Sequence, residues 1–168
     1  MEIIDFYSSP KREYWLNIIR LCDWRAGAYL CQLIDNEQFY SVLGESSRLL
    51  LLTEGDKLLS FCALTERDQV DTELTPWIGF VYTFPEARGR RLMGRLINEA
   101  SHIAAGRGFD TLWLTTDHVG LYEKYGFEFV CMMKEYSGEE TRIYKKKQVR
   151  SNYVYTFEAR GRCKARTV

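Results

Sequence analysis

The chain has no stretch apolar enough to cross a bilayer. Its longest apolar run, "LLLL" at 49–52, is a strand fragment, far short of the roughly 20 residues a membrane helix needs. It has no net charge either: 23 Lys and Arg balance 23 Asp and Glu. No global field draws it to nucleic acid or to a membrane, and neither partner is expected. The cysteines, Cys22, Cys31, Cys62, Cys131 and Cys163, form no CxxC pair and keep no regular spacing. That argues against a disulfide framework and a zinc site, and for reduced thiols in the cytoplasm; no metal is expected. The opening "MEIIDFYSSPK" lacks the basic start and long apolar core of a signal peptide.

What is present fits one globular domain: 168 residues, 46% of them hydrophobic and 27% charged. Strand patterns fall on "EIIDFY", on both arms of "SRLLLLTEGDKLLSFCALTER" around the turn "EGDK", and on "PWIGFVYTF", "TLWLTT", "EFVCMMKEY" and "TRIYKKK". Helical spacing appears in "KREYWLNIIRLCDW", in "GAYLCQLIDNEQFYSVLG" and in "EARGRRLMGRLINEASHIAAGRGF"; "VGLYEKYGF" reads as a short helix closed by Gly126. The order is β-α-α-β-β-β-α-β-α-β-β. Strand, long helix and strand over 76–116 predict a right-handed crossover with two parallel strands. The shorter connections favour antiparallel pairing. The expected fold is a mixed α/β, mostly antiparallel sheet with one central parallel βαβ pair and helices on both faces.

Chemistry concentrates at "VYTFPEARGRRLMG", residues 81–94. A strand ends near Phe84, a tight loop follows, and a helix begins near Arg90. Amides at a helix start lack intrahelical partners and carry partial positive charge, so such a loop cradles anions, phosphate above all. Gly89 lets backbone approach a ligand closely. Gly94, inside the helix, costs about 1 kcal/mol relative to alanine and points to a close neighbour or ligand. Arg88, Arg90, Arg91 and Arg95 surround the cradle.

The segment "PEARGRRLMG" resembles the phosphate loop of the GNAT superfamily of N-acetyltransferases, and "LYEKYGF" at 121–127 resembles a second signature of that family. Their order and spacing match as well, over about residues 1–146. Four positions depart from the pattern, in two places. Arg91 and Met93 stand where the family carries small residues, and Thr115 and His118 stand where it often has Asn and Ala.

The resemblance implies direct transfer of an acetyl group from acetyl-CoA to a primary amine of a small molecule or peptide. It implies cofactor contacts from the strand backbone at Val81, Tyr82 and Thr83, where amides would also hold the oxyanion. Further contacts are implied from Arg88, Gly89, Arg90, Arg91, Leu92, Met93 and Gly94 in the loop, and from Thr115. Tyr122 aligns with the tyrosine that protonates the leaving thiolate. Glu66 stands first as general base, with Asp68, Glu73, Asp117 and His118 as competitors. Trp15, Trp24, Tyr29, Trp77 and Trp113 are candidates for an aromatic wall. An acyl-CoA-binding or interaction module of the same fold without turnover is the alternative.

The stretch "VYTFEARGR" at 154–162 repeats "VYTFPEARGR" without its proline, and no helix-length segment follows. It reads as an echo without catalytic role, in a basic tail at 147–168 whose "NYVYTF" is suited to pair as an edge strand, within this chain or in a homodimer.

Overall fold

In the computed structural model, residues 1–148 are described throughout, and beyond them the strands Tyr153–Phe157 and Cys163–Thr167. Seven strands form one sheet: β1 (Glu2–Asp5), β2 (Arg48–Glu54), β3 (Lys57–Thr65), β4 (Trp77–Thr83), β5 (Thr111–Thr116), β6 (Glu128–Lys134) and β7 (Glu140–Lys147). Their order is β1-β2-β3-β4-β5-β7-β6. Every neighbouring pair is antiparallel except β4 and β5. The helices are α1 (Arg12–Ile19), α2 (Arg25–Asp35), α3 (Phe39–Leu43) and α4 (Leu92–Gly106).

The alternation of side chains along β2 and β3 explains the layers. Leu50, Leu52, Cys62 and Leu64 face α4, whose Leu92, Leu96, Ile97, Ala100 and Ala104 are all buried against them. Leu49, Leu51, Phe61 and Ala63 face the other way, onto Leu16 and Ile19 of α1 and Leu30 and Leu33 of α2. Both faces are therefore covered, and a four-leucine run serves two cores at once. Each fully buried leucine contributes about 1.5–3 kcal/mol.

Several expected boundaries move. The second helical stretch breaks into α2 and α3, because Glu37 between them takes a left-handed φ of 57°. The first helix stops at Ile19 instead of running on to Trp24. The crossover helix starts at Leu92, and "YEKY" is a single 3-10 turn, Tyr122–Tyr125. β7 carries the sheet to Lys147, one residue past the expected end of the domain. The strand expected in "NYVYTF" is β8 (Tyr153–Phe157), but it pairs with β9 (Cys163–Thr167) in a separate two-stranded sheet and not with the edge of the large one. The "EARGR" of the second copy lies outside the described residues. No helix among the described residues is long and apolar enough to cross a membrane.

Gly94 has its explanation here. A β-carbon on it would stand 2.8 Å from Cε1 of Tyr125, so α4 and the 3-10 turn meet at this glycine. Gly94→Val should cost about 1–3 kcal/mol by overpacking, read from the urea unfolding midpoint. A variant as stable as the parent would show that the turn does not lean on the helix.

Candidate active site

β4 and β5 are the two parallel strands, yet their ladder holds one position, Trp77 opposite Trp113. Beyond it, the remaining six residues of β4 and three of β5 have no pairing to each other. The parting has a local cause in β4. Its register against β3 shifts between Phe61 and Ala63, and Phe80 adopts a left-handed φ of 51°. This is a β-bulge, which bends the strand and raises its twist.

The bulge decides which backbone groups are free. Ser60 Oγ donates to the Tyr82 carbonyl at 2.6 Å, and Phe84 N–H donates to the Leu59 carbonyl at 3.0 Å. Tyr82 and Phe84 thus bond towards β3. The alternate residues, Val81 and Thr83, turn their backbone towards β5, where the ladder has already ended. Of the three expected strand contacts, Val81 and Thr83 fit a ligand lying between the strands. Tyr82 does not offer its backbone there; its hydroxyl donates to Asp23 at 2.8 Å and its ring stacks on Trp24.

The loop after β4 fits the cradle expected of it. A 3-10 turn, Pro85–Ala87, uses the amides of Ala87 and Arg88 on Phe84 and Pro85 carbonyls. The next five amides, of Gly89, Arg90, Arg91, Leu92 and Met93, make no hydrogen bond among the described residues. They sit at the start of a 15-residue helix, where the dipole favours an anion. Gly89 has a φ of 76°, and a β-carbon there would meet nothing within 4 Å.

The arginines divide their work. Arg88 folds back, its Nε donating to the Thr83 carbonyl at 3.1 Å and its guanidinium lying over the Tyr82 ring. Arg90 leans towards Glu54 at 3.9 Å. Arg91 is exposed, its side chain makes no hydrogen bond or ion pair among the described residues, and its backbone has a left-handed φ of 55°. Gly94 has Tyr125 where a side chain would stand.

Tyr122 is buried between α4 and the sheet, in one cluster with Leu92, Leu96 and Cys62, and Val81 and Met93 pack on its margin. Burial is the main cause that pushes its hydroxyl well above the usual tyrosine range. It makes no hydrogen bond among the described residues, so its proton is held and unengaged.

Glu66 is placed elsewhere. Ser46 N–H donates to its carboxylate at 2.6 Å. Hydrogen bonds from Ser46 hold it below the usual carboxylate range, with help from Arg67 and Arg107. Arg107 caps the far end of α4, about 22 Å along the helix axis from the cradle. A carboxylate of lowered basicity, tied into the Gly44–Ser47 turn, is unsuited to take a proton from an amine. Glu73, Asp117 and His118 are exposed. Asp68 is the carboxylate that meets a cofactor candidate: Thr115 Oγ1 donates to it at 2.9 Å. Of the aromatic candidates, Trp15 and Trp77 are core, while Trp24 on Tyr82 and Tyr29 against Phe80 line the α1–α2 side of β4.

Arg91 carries a prediction. A left-handed backbone costs a non-glycine residue about 1–2 kcal/mol, so Arg91→Gly should stabilise the fold by about 0.5–1 kcal/mol in urea denaturation. If the guanidinium also pairs with phosphate, the same variant should bind coenzyme A about 10-fold more weakly, the scale of one charge-assisted hydrogen bond. Tighter binding would mean that the side chain obstructs the loop.

Residues 6–127 match the model of the acetyltransferase (GNAT) family. No curated protein matches the sequence. An aminoglycoside 6'-N-acetyltransferase from Enterococcus faecium superposes with a TM-score of 0.64 at 15% identity, covering 89% of this chain and 98% of that one. An aminoglycoside 6'-N-acetyltransferase complexed with coenzyme A gives 0.63 at 15% identity, over 89% and 98%. An acetyltransferase from Streptococcus agalactiae gives 0.58 at 21% identity, over 87% and 97%. At such identities the superpositions establish the fold, and the family match covers most of the chain: it belongs to the GNAT family of acetyltransferases.

Proposed function

We propose that the protein transfers an acetyl group from acetyl-CoA directly to a primary amine of a small molecule. The observation that carries the reading is the parting of β4 from β5 beside five unpartnered amides. An open slot flanked by backbone donors suits an extended pantetheine arm, and the amides at 89–93 suit its pyrophosphate. Neither feature has a purpose within the fold itself, because unpaired strand edges and helix starts are costs to a protein that uses them for nothing.

The chain's residues then take the following parts. The amides at 89–93 hold the pyrophosphate. The Val81 carbonyl and the Thr83 N–H bond to the amides of the arm, the Thr83 carbonyl being engaged by Arg88 Nε, and the Val81 N–H holds the thioester oxygen as it gains charge. Tyr122 keeps its proton at neutral pH and gives it to the departing sulfur. The acceptor approaches from the α1–α2 side. There a cavity of about 380 Å³ is lined by Ile18, Leu21, Asp23, Tyr82, Phe84 and Glu86. Two carboxylates beside aromatic rings suit a cationic amine.

The test is release of free coenzyme A thiol from acetyl-CoA against a panel of amines, with aminoglycosides first, then polyamines, amino sugars and lysine peptides. Release with at least one amine is expected. Acetyl-CoA binding without release on any amine would favour a binder that has lost turnover.

Tyr122→Phe keeps the ring and the packing. It should lower kcat by about 10²–10⁴-fold and leave coenzyme A affinity unchanged within twofold. Turnover at the parent rate, with chemistry rate-limiting, would reduce Tyr122 to packing.

A further inference from the structure

Asp68 is a carboxylate without a counter-charge. Its two oxygens accept from the Gln69 N–H at 2.7 Å and from Thr115 Oγ1 at 2.9 Å. Among the described residues no cation pairs with it, and the one charged neighbour acting on it is Glu135, of the same sign. It is half-buried, in the loop that joins β3 to β4. Holding an unpaired carboxylate out of water is costly: the group is driven towards its neutral form, and a cation brought by a ligand would relieve the cost.

The position tells what that cation is. Trp113 and Thr115 face the side of β5 opposite to Leu112 and Leu114, which lie under α4. Trp77 packs against Trp113 on that same face, at 6.2 Å between rings. By strand alternation, the next residues on this face, just beyond the last paired position, are Gly79 on β4 and Thr115 on β5. Gly79 has no side chain, and a β-carbon there would meet nothing within 4 Å. A glycine inside a central strand serves a bulge, which β4 has here, or a close approach, and the open space above this one leaves room for a ligand. The Asp68–Thr115 pair thus borders an open space, on the acceptor side of the slot, at the point where the two strands part.

We propose that Asp68 is the general base: it binds the ammonium of the acceptor in the space above Gly79 and takes its proton, with Thr115 positioning the carboxylate. This rests on the acetyl-transfer reading above. The ammonium, R–NH₃⁺, gives one proton to the Asp68 carboxylate and becomes R–NH₂. The lone pair forms the new C–N bond to the thioester carbon and the C–S bond breaks. The sulfur leaves with its electron pair and takes the Tyr122 proton. The nitrogen sheds its second proton, which restores Tyr122 through water. Asp68 returns its own to solvent. The products are an acetamide, the free thiol and one proton.

Burial comes first among the causes that raise the Asp68 carboxyl above its ordinary range, with Glu135 adding to it and the two hydrogen bonds opposing. A raised carboxyl is a stronger base, closer to the operating pH. Activity should therefore fall as pH drops through that raised value. For stability the sign is opposite to the usual carboxylate case. The folded state prefers the neutral form, so the charge costs stability at neutral pH and the cost vanishes in acid.

The experiment compares the parent with Asp68→Asn and Thr115→Val on the best amine of the panel. Asp68→Asn should bind coenzyme A as the parent does and melt at the same or a higher temperature at pH 7. Its kcat/KM should be about 10²–10⁴-fold lower and should lack the parent's acid limb. Thr115→Val removes a hydrogen bond that favours the charged form, so it should shift the acid limb to higher pH, whatever it does to the rate above that limb. A parent that turns over, together with an Asp68→Asn variant of equal rate and unchanged acid limb, would overturn the base assignment alone. A parent that acetylates no amine would overturn the acetyl-transfer reading, and this proposal with it.

Discussion

The structure depends on two neighbouring strands that stop pairing. β4 and β5 are the parallel centre of a seven-stranded sheet, where a ladder is most expected, and they keep one bridge, between Trp77 and Trp113. A left-handed residue at Phe80 and a bulge against β3 turn β4 away. Each backbone group left unpaired in a protein interior costs about 1–3 kcal/mol. The fold tolerates this because β3, buried on both faces, pairs with β4 along its other edge and anchors it. A ligand that brings its own amides and carbonyls restores what the sheet gave up.

The gap also separates two kinds of chemistry by the two faces of one sheet. On the α4 side, Tyr122 lies among apolar groups that keep it protonated. On the α1–α2 side are Asp23, Glu86 and Asp68, aromatic rings and the bare backbone of Gly79. A thioester lying in the slot would have a proton donor on one face and carboxylates on the other.

Much of this was legible in the sequence because it is written in short, local patterns. "PEARGRR" between a β-run and a helical run marks the cradle, and "LYEKYGF" marks the turn that presents Tyr122. The alternation of "LLLLT" and "LLSFCALT" marks strands sharing two cores. What stayed hidden depends on contacts across long separations or on single dihedral angles. Glu66 looks as available as Asp68 in a string of letters. Only the fold reveals that Glu66 closes on Ser46, and that Asp68 reaches Thr115 across 47 positions. The break at Glu37 and the late start of α4 after Arg91 are left-handed residues that are not glycine, and no composition rule marks them. Gly94 reads as a place of close approach, and the fold brings Tyr125 against it.

The central claim is that the cosubstrate lies in the slot between β4 and β5 with its pyrophosphate on the loop that follows. Backbone amide NMR with and without acetyl-CoA tests it most directly. The account predicts large shifts at Val81, Thr83, Thr115 and residues 89–93, with Ser46, Glu66 and Arg107 at the far end of α4 unmoved. Shifts that avoid the slot, or that gather at the Glu66–Arg107 end, would contradict it.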